Sequence, residues 1–278
     1  MSFLSFPTHA PESNSKMTPE ELNVAAAFTD ELLDLGVLAP VPSGAKLEAV
    51  GPLFCLRKNL QEDQWRVLAD MKSGGQNAHI ASEPVHFIRP HDVLGRLYTG
   101  GWSAVIDASK YFYNFMTVEE ERCYLGCIHP ITGAELWYVG LPMGAANSPA
   151  IACRVGSAIL RRMALDDENF SGSVTHNTIG ARFMGGTFNP HWGTGQVTIG
   201  PDGSPVSLVF SHVDDFLIHS TSQQRCRVAL EAVMDLTVRL GLICQPCKTS
   251  PPAQVQKYTG FLFDTREIPC LRIPESKR

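Results

Sequence analysis

The chain has 278 residues, 44% hydrophobic and 18% charged, enough apolar mass to bury the core of one elaborated domain or two small ones. Its 23 Lys and Arg against 28 Asp and Glu leave a net charge of −5, which argues against a protein that coats nucleic acid, because phosphate contacts need clustered cations. No run reaches the roughly 18 uninterrupted apolar residues of a membrane span, and the start "MSFLSFPTHAPESNSKM" lacks the regions of a signal peptide, so an intracellular protein of cytoplasm or nucleus with no membrane partner is expected.

Residues 1–17, rich in Ser and Pro, are expected to form a disordered tail. From Thr18 the pattern turns helical, with Thr18 as N-cap ahead of Pro19, Glu20 and Glu21, and Gly36 as the stop. "PLFCLRK" and "WRVLADM", joined by "NLQEDQ", predict a hairpin. It lies in a mildly basic island of Arg57, Lys58, Arg66 and Lys72. A short helix over 91–99 ends at Gly100-Gly101, and "WSAVIDAS" reads as a strand ending near Asp107. "CYLGCIHP" and "AELWYVG" predict a second hairpin turning at "PITG". Ser148 as N-cap and Pro149 at the first helical position open a helix to about Met163.

Residues 166–204, rich in Gly, Asn and Thr, read as an extended insertion holding a β-hairpin. "PVSLVFSHV" and "FLIHS" then flank Asp214 and Asp215. Ser222 caps a helix whose Val228, Ala232, Val233, Leu236 and Leu240 are expected on one buried face, with Gly241 as its end. "KYTGFLFD" supplies a last strand. This order gives an α+β fold, a mostly antiparallel sheet backed by helices.

The eight cysteines, Cys55, Cys123, Cys127, Cys153, Cys226, Cys244, Cys247 and Cys270, sit mostly in apolar patterns and read as buried reduced thiols. Cys244 and Cys247 with Cys123 and Cys127 would make a zinc site only if two separate elements met, and no second CxxC supports it.

Two adjacent aspartates between strands are most simply a turn, since Asp bonds readily to its own backbone. Asp107 changes the balance: it too is a carboxylate at the end of an apolar strand, where burial is costly without a cation. Hard oxygen ligands from two strand ends would suit Mg²⁺, and a pair of ions about 4 Å apart would suit phosphoryl transfer.

Six segments in order resemble the reverse transcriptase family of retrotransposons, of the LTR or DIRS kind. "HVDDFLIHS" is similar to the Y-x-D-D hairpin, "SAVIDASKYFYNF" to the first aspartate motif, and "LPMGAANSPA" to the L-P-x-G segment. "RVLADMKSGGQN" resembles the fingers segment, "GLICQPCKT" the lysine-bearing loop and "YTGFLFD" the primer-grip strand. The resemblance covers about residues 30–265 and implies a polymerase palm over 101–265 with an insertion at 166–204. It also implies an N-terminal fingers region over 18–100 and, at 266–278, the start of a thumb that is absent or truncated.

It further implies that Asp107, Asp214 and Asp215 hold two Mg²⁺, replaceable by Mn²⁺, and that Lys248 protonates pyrophosphate. Arg66 would meet the triphosphate, Phe112 would exclude a ribose 2′-hydroxyl, and Met143 and Gly144 would lie against the nascent pair. Tyr258 and Gly260 would position the primer end. Read without the resemblance, Arg66 and Lys248 are surface cations, Phe112 and Tyr258 are core, and Gly144 and Gly260 serve a loop and a bulge.

The implied partners are an RNA or DNA template with its primer, dNTPs, and further polyprotein domains such as RNase H, integrase or recombinase. Departures from the pattern are His212 in place of Tyr or Phe, Met143 in place of Gln or Phe, and Lys110-Tyr111 in place of D-A. The expected activity is RNA-directed DNA polymerase. A polymerase-like fragment that only binds nucleic acid or protein is the alternative. A nuclease or phosphatase using the same aspartates would want further His or Glu ligands, which the sequence does not supply at matched spacing.

Overall fold

The structure is a computed structural model that describes residues 5, 14–59, 64–81, 85, 87–165, 195–199, 205–242, 244 and 248–275. Most of the expected N-terminal tail, most of the 166–204 insertion, the centre of "NLQEDQ" and Cys247 lie outside the described residues.

In chain order the elements are α1 (Pro19–Asp34), β1 (Leu38–Pro40), β2 (Leu53–Asn59), β3 (Gln64–Ala69), α2 (Gln76–His79), α3 (Pro90–Leu94) and β4 (Trp102–Asp107). Two 3-10 turns (Tyr111–Asn114 and Glu119–Tyr124), β5 (Gly126–Ile128), β6 (Glu135–Tyr138) and α4 (Ser148–Leu165) follow. The chain continues with β7 (Gly195–Ile199), β8 (Pro205–His212), β9 (Asp215–Ser220) and α5 (Gln223–Arg239), then β10 (Ser250–Ala253), β11 (Val255–Tyr258), β12 (Phe261–Asp264) and β13 (Cys270–Arg272). They form two compact units, residues 1–83 with 112–148, and 84–111 with 149–278.

In the first unit, α1 starts at a complete capping box, the Thr18 side chain accepting from Glu21 N and the Glu21 side chain accepting from Thr18 N. Its inner face joins β1, the β2–β3 hairpin and β5–β6 in a core of Leu32, Leu38, Leu53, Met71, Tyr113, Leu136 and Tyr138. β6 lies between β1 and β5, all antiparallel. The turn between β5 and β6 is held by His129, whose Nδ1 accepts from Ile131 N and Thr132 N, so Nε2–H donates to Asp30 over 3.1 Å. Ser148 opens α4 itself, and its hydroxyl donates to the Pro142 carbonyl over 2.9 Å.

The second unit is built on a five-stranded sheet in the order β10-β4-β9-β8-β7, antiparallel throughout. Helix α5, capped by Ser222, packs against β4, β8, β9 and β10. Its buried side is Cys226, Ala229, Leu230, Val233, Leu236 and Thr237, and this corrects the expected face: Val228 and Leu240 are 47% and 51% exposed. "KYTGFLFD" also needs correction, because Thr259-Gly260 turn the chain and make it two strands, β11 and β12, with β13 beside them. Gln256 Nε2 donates to Ser103 O and the Thr265 hydroxyl to Gly101 O, fastening this small sheet to the start of β4.

Of the described cysteines all are free, with Cys127, Cys153, Cys226 and Cys244 buried and Cys55, Cys123 and Cys270 partly so. Among the described residues no helix is long and apolar enough to cross a membrane.

Candidate functional site

The β8–β9 hairpin pairs His212 with Asp215, leaving Val213 and Asp214 as a two-residue loop. Val213 has φ 57, a left-handed value that a β-branched residue adopts only at a cost of about 1–3 kcal/mol. A positive first position is what a primed hairpin turn requires, so the strand twist is matched by strain at Val213. The same turn carries the Asp214 carbonyl to Ala108 N, 2.9 Å away.

Across the sheet, β4 and β9 run in register from Trp102↔Ser220 to Asp107↔Asp215. The last residue of one strand therefore faces the first of the other, and both are carboxylates. Asp214 sits beside them on the loop. Lys248 Nζ donates to both oxygens of Asp107, at 3.2 and 3.4 Å. The arrangement is three acids around one ammonium.

Burial pushes Asp215 up to about 7, and the charges of Asp214 and Asp107 add to the shift. Asp214 is raised as well, by burial first and Asp107 next among the raising effects. Desolvation leads both shifts, so the neutral forms of Asp214 and Asp215 are favoured more than in water. Among the described residues no group of three or more His, Cys, Asp and Glu side chains is placed to hold a metal ion. Carboxylate oxygens are the donors that a hard cation takes, and here the Lys248 ammonium, 3.2 Å from Asp107, is the cation beside them.

Around the cluster, Tyr258 is 2% exposed, its hydroxyl has no hydrogen-bond partner among the described residues, and burial raises its phenol well above the usual value, with Asp215 and Asp214 adding. Thr259 and Gly260 both have positive φ, 47 and 84, closing β11 onto β12 in a two-residue turn. His212 packs against Phe87 with ring centres 5.1 Å apart and ring planes tilted by 43°. Its Nδ1 is buried without a partner among the described residues, and burial holds its pKa below the ordinary value.

The remaining predicted residues belong to the first unit. Arg66 is an exposed residue of β3, opposite Leu56. On the same hairpin the Arg57 guanidinium covers the Trp65 ring at 4.7 Å. Met143 packs partly against the unit's core, and Phe112 is half-buried in the first 3-10 turn. Gly144 has φ 111, and a Cβ there would strike the Ala69 carbonyl, so the loop after β6 lies close on β3. Asn77 clamps that loop, donating to Gly144 O over 2.9 Å and accepting from Ala146 N over 2.8 Å.

Asp107, Asp214, Asp215 and Lys248 are therefore gathered in the second unit, together with Tyr258 and Gly260. Arg66, Phe112, Met143 and Gly144 lie in the first. Sequence reasoning missed Asn77 and Phe87, whose partners lie far along the chain and leave no local pattern.

No protein-family model matches this chain, and no curated protein matches it. Among solved structures it is similar to a foamy viral protease-reverse transcriptase in complex with double-stranded DNA, with a TM-score of 0.70 and 16% identity over 99% of this chain. The match spans 38% of that longer chain. At this identity the likeness is one of fold: the chain has a mixed helix and antiparallel sheet fold like that of a reverse transcriptase.

Proposed function

We propose that the chain is a retroelement reverse transcriptase core, with fingers over 18–100, a palm over 101–265 and the start of a thumb at 266–278. It would transfer nucleotides from dNTPs to a primer 3′-hydroxyl on an RNA or DNA template. The observation that carries this reading is the register Asp107↔Asp215 with Asp214 on the adjoining loop. Two strand ends and a strained turn bring three carboxylates to one edge of a sheet, and the fold is like that of a known polymerase.

Two divalent ions held by Asp107, Asp214 and Asp215 would supply charge neutralisation for phosphoryl transfer. Lys248, paired here with Asp107, would be the group that gives a proton to pyrophosphate. Arg66 would bind the triphosphate through its planar fork. Phe112 would press on the sugar, Met143 and Gly144 would contact the nascent base pair, and Tyr258 with Gly260 would steady the primer end.

A second reading is a polymerase-fold module that binds without catalysis. The Lys248–Asp107 pair favours it, since an ammonium already occupies the acid that a metal needs. Primer extension on an RNA template with Mg²⁺ or Mn²⁺ separates the two. The polymerase reading expects extension by the parent chain and a loss of at least about 100-fold in Asp214→Asn, the scale of removing a group essential to charge stabilisation. Parent and variant extending equally well would sink the metal-site assignment, and no extension by the parent at low salt would favour the binding module.

A further inference from the structure

Met116 and Val118, in the first unit, are 70% and 51% exposed, while Thr117 between them is 5% exposed. Alternation along extended backbone explains the pattern: Thr117 turns inward and its two neighbours turn outward. The segment is fastened from behind. Thr117 N donates to Val139 O over 2.8 Å, the Thr117 hydroxyl to Tyr138 O over 2.9 Å, and Arg122 Nη2 to Thr117 O over 3.3 Å. Two large apolar side chains are therefore held out to solvent on backbone that is tied in place.

A third joins them from α1. Met116 faces Gly140 across an antiparallel bridge, and Gly140 N donates to Val37 O over 3.0 Å. Leu35, 51% exposed, stands two residues before Val37 at the end of the helix. Backbone spacing keeps Leu35 and Met116 within about 17 Å, which a helix of roughly twelve residues spans. A single exposed apolar side chain needs no explanation. Three at one end of a unit make a patch of the kind that interfaces use, and Met is among the residues enriched there.

The border of the patch is acidic. Asp34 precedes Leu35, Glu119 and Glu120 follow Val118, and all three are exposed. The last turn of α1 holds Glu31 and Asp34 and no basic residue, at the end where the helix dipole is itself negative. This charge repels the phosphates of nucleic acid or of an anionic membrane and attracts Lys and Arg.

We propose that Leu35, Met116 and Val118, within a rim of Asp34, Glu119 and Glu120, dock a basic amphipathic helix of a partner protein. The partner lays its apolar stripe on the three side chains and sets Lys or Arg against the rim. The fixed backbone of Met116–Val118 lowers the cost of binding, because little of it has to be ordered. This surface is separate from the polymerase reading, since none of its residues belongs to the carboxylate site.

The test is fluorescence anisotropy of the full chain with a labelled peptide of about 15 residues whose helix has Leu on one face and Lys on the other. The Leu/Lys peptide is expected to bind and the matching Leu/Glu peptide is not. Met116→Asp and Val118→Asp should each weaken binding at least about 10-fold, the scale of losing a buried apolar anchor. Glu119→Lys combined with Glu120→Lys should weaken the Leu/Lys peptide and admit the Leu/Glu peptide, a swap that loss of folding cannot produce. Val228→Asp, at an exposed apolar position on α5, should leave binding as it is.

Binding that the Met116, Val118 and paired Glu variants leave unchanged would overturn the proposal, because Lys would then be collecting on the acidic chain at large. No binding by the parent up to about 1 mM peptide would overturn it too. So would a parent that sediments as a dimer and becomes a monomer in Met116→Asp, since the occupant would then be a second copy of the chain.

Discussion

The backbone N–H of Tyr98 donates to Nε2 of His219 over 2.8 Å, so the imidazole proton sits on Nδ1 and is shared with the Ser103 hydroxyl at 2.8 Å. The ring is fully buried and Gly101 leaves no room for a Cβ beside it. A second proton would break the Tyr98 bond and bury a charge, and burial accordingly lowers the pKa to about 4. Because the folded value lies below the ordinary 6.5, His219 contributes stability that is whole above about pH 6.5 and disappears as pH falls to about 4. The full effect is about 3 kcal/mol. Urea unfolding of the parent and of His219→Gln across this window should show the parent losing more stability by roughly that amount. Parallel pH profiles would mean that His219 is not held neutral. Nothing in "FLIHS" marked this residue, since its partners Tyr98 and Ser103 lie more than a hundred residues back.

Elements whose partners are near in sequence were legible, and the failures have a geometric cause. The β2–β3, β5–β6 and β8–β9 hairpins and the Thr18 cap follow from local pattern and turn chemistry. β1, α2 and β13 run only three or four residues, too short for a period to show. In α5 the expected face followed mainly a spacing of four, and at 100° per residue Val228 and Leu240 differ by about 120°. Such a row winds off the core. The stripe that stays inside alternates shorter steps, Cys226, Ala229, Leu230, Val233 and Leu236. Leu236→Ala should therefore cost about 2–4 kcal/mol in urea unfolding, while Val228→Ala and Leu240→Ala should stay within about 0.5. Equal losses at Leu236 and Leu240 would restore the face expected from sequence.

At the scale of the molecule, the carboxylate site depends on a pairing that no local pattern encodes, Asp107 with Asp215, 108 residues apart. The chemistry of each acid was readable and their meeting was not. Only the order of six family-like segments pointed to it. The same long-range pairing makes the second unit discontinuous, because β4 lies between β9 and β10 while residues 112–148 belong to the other unit. A fragment of residues 149–278 would lack β4, leaving β9 and β10 with bare edges. It would also remove the acceptors of Gln256 and Thr265 at Ser103 and Gly101. Unpaired backbone at the centre of a sheet is costly enough that such a fragment is expected to melt without a cooperative transition. Joining residues 84–111 to it through a flexible Gly/Ser linker restores the strand, the anchors and Asp107 together, so far-UV circular dichroism in urea should then show a single sigmoidal transition. A cooperative transition in residues 149–278 alone would show that β4 is dispensable to the sheet, and with it the structural reason for placing Asp107 beside Asp215.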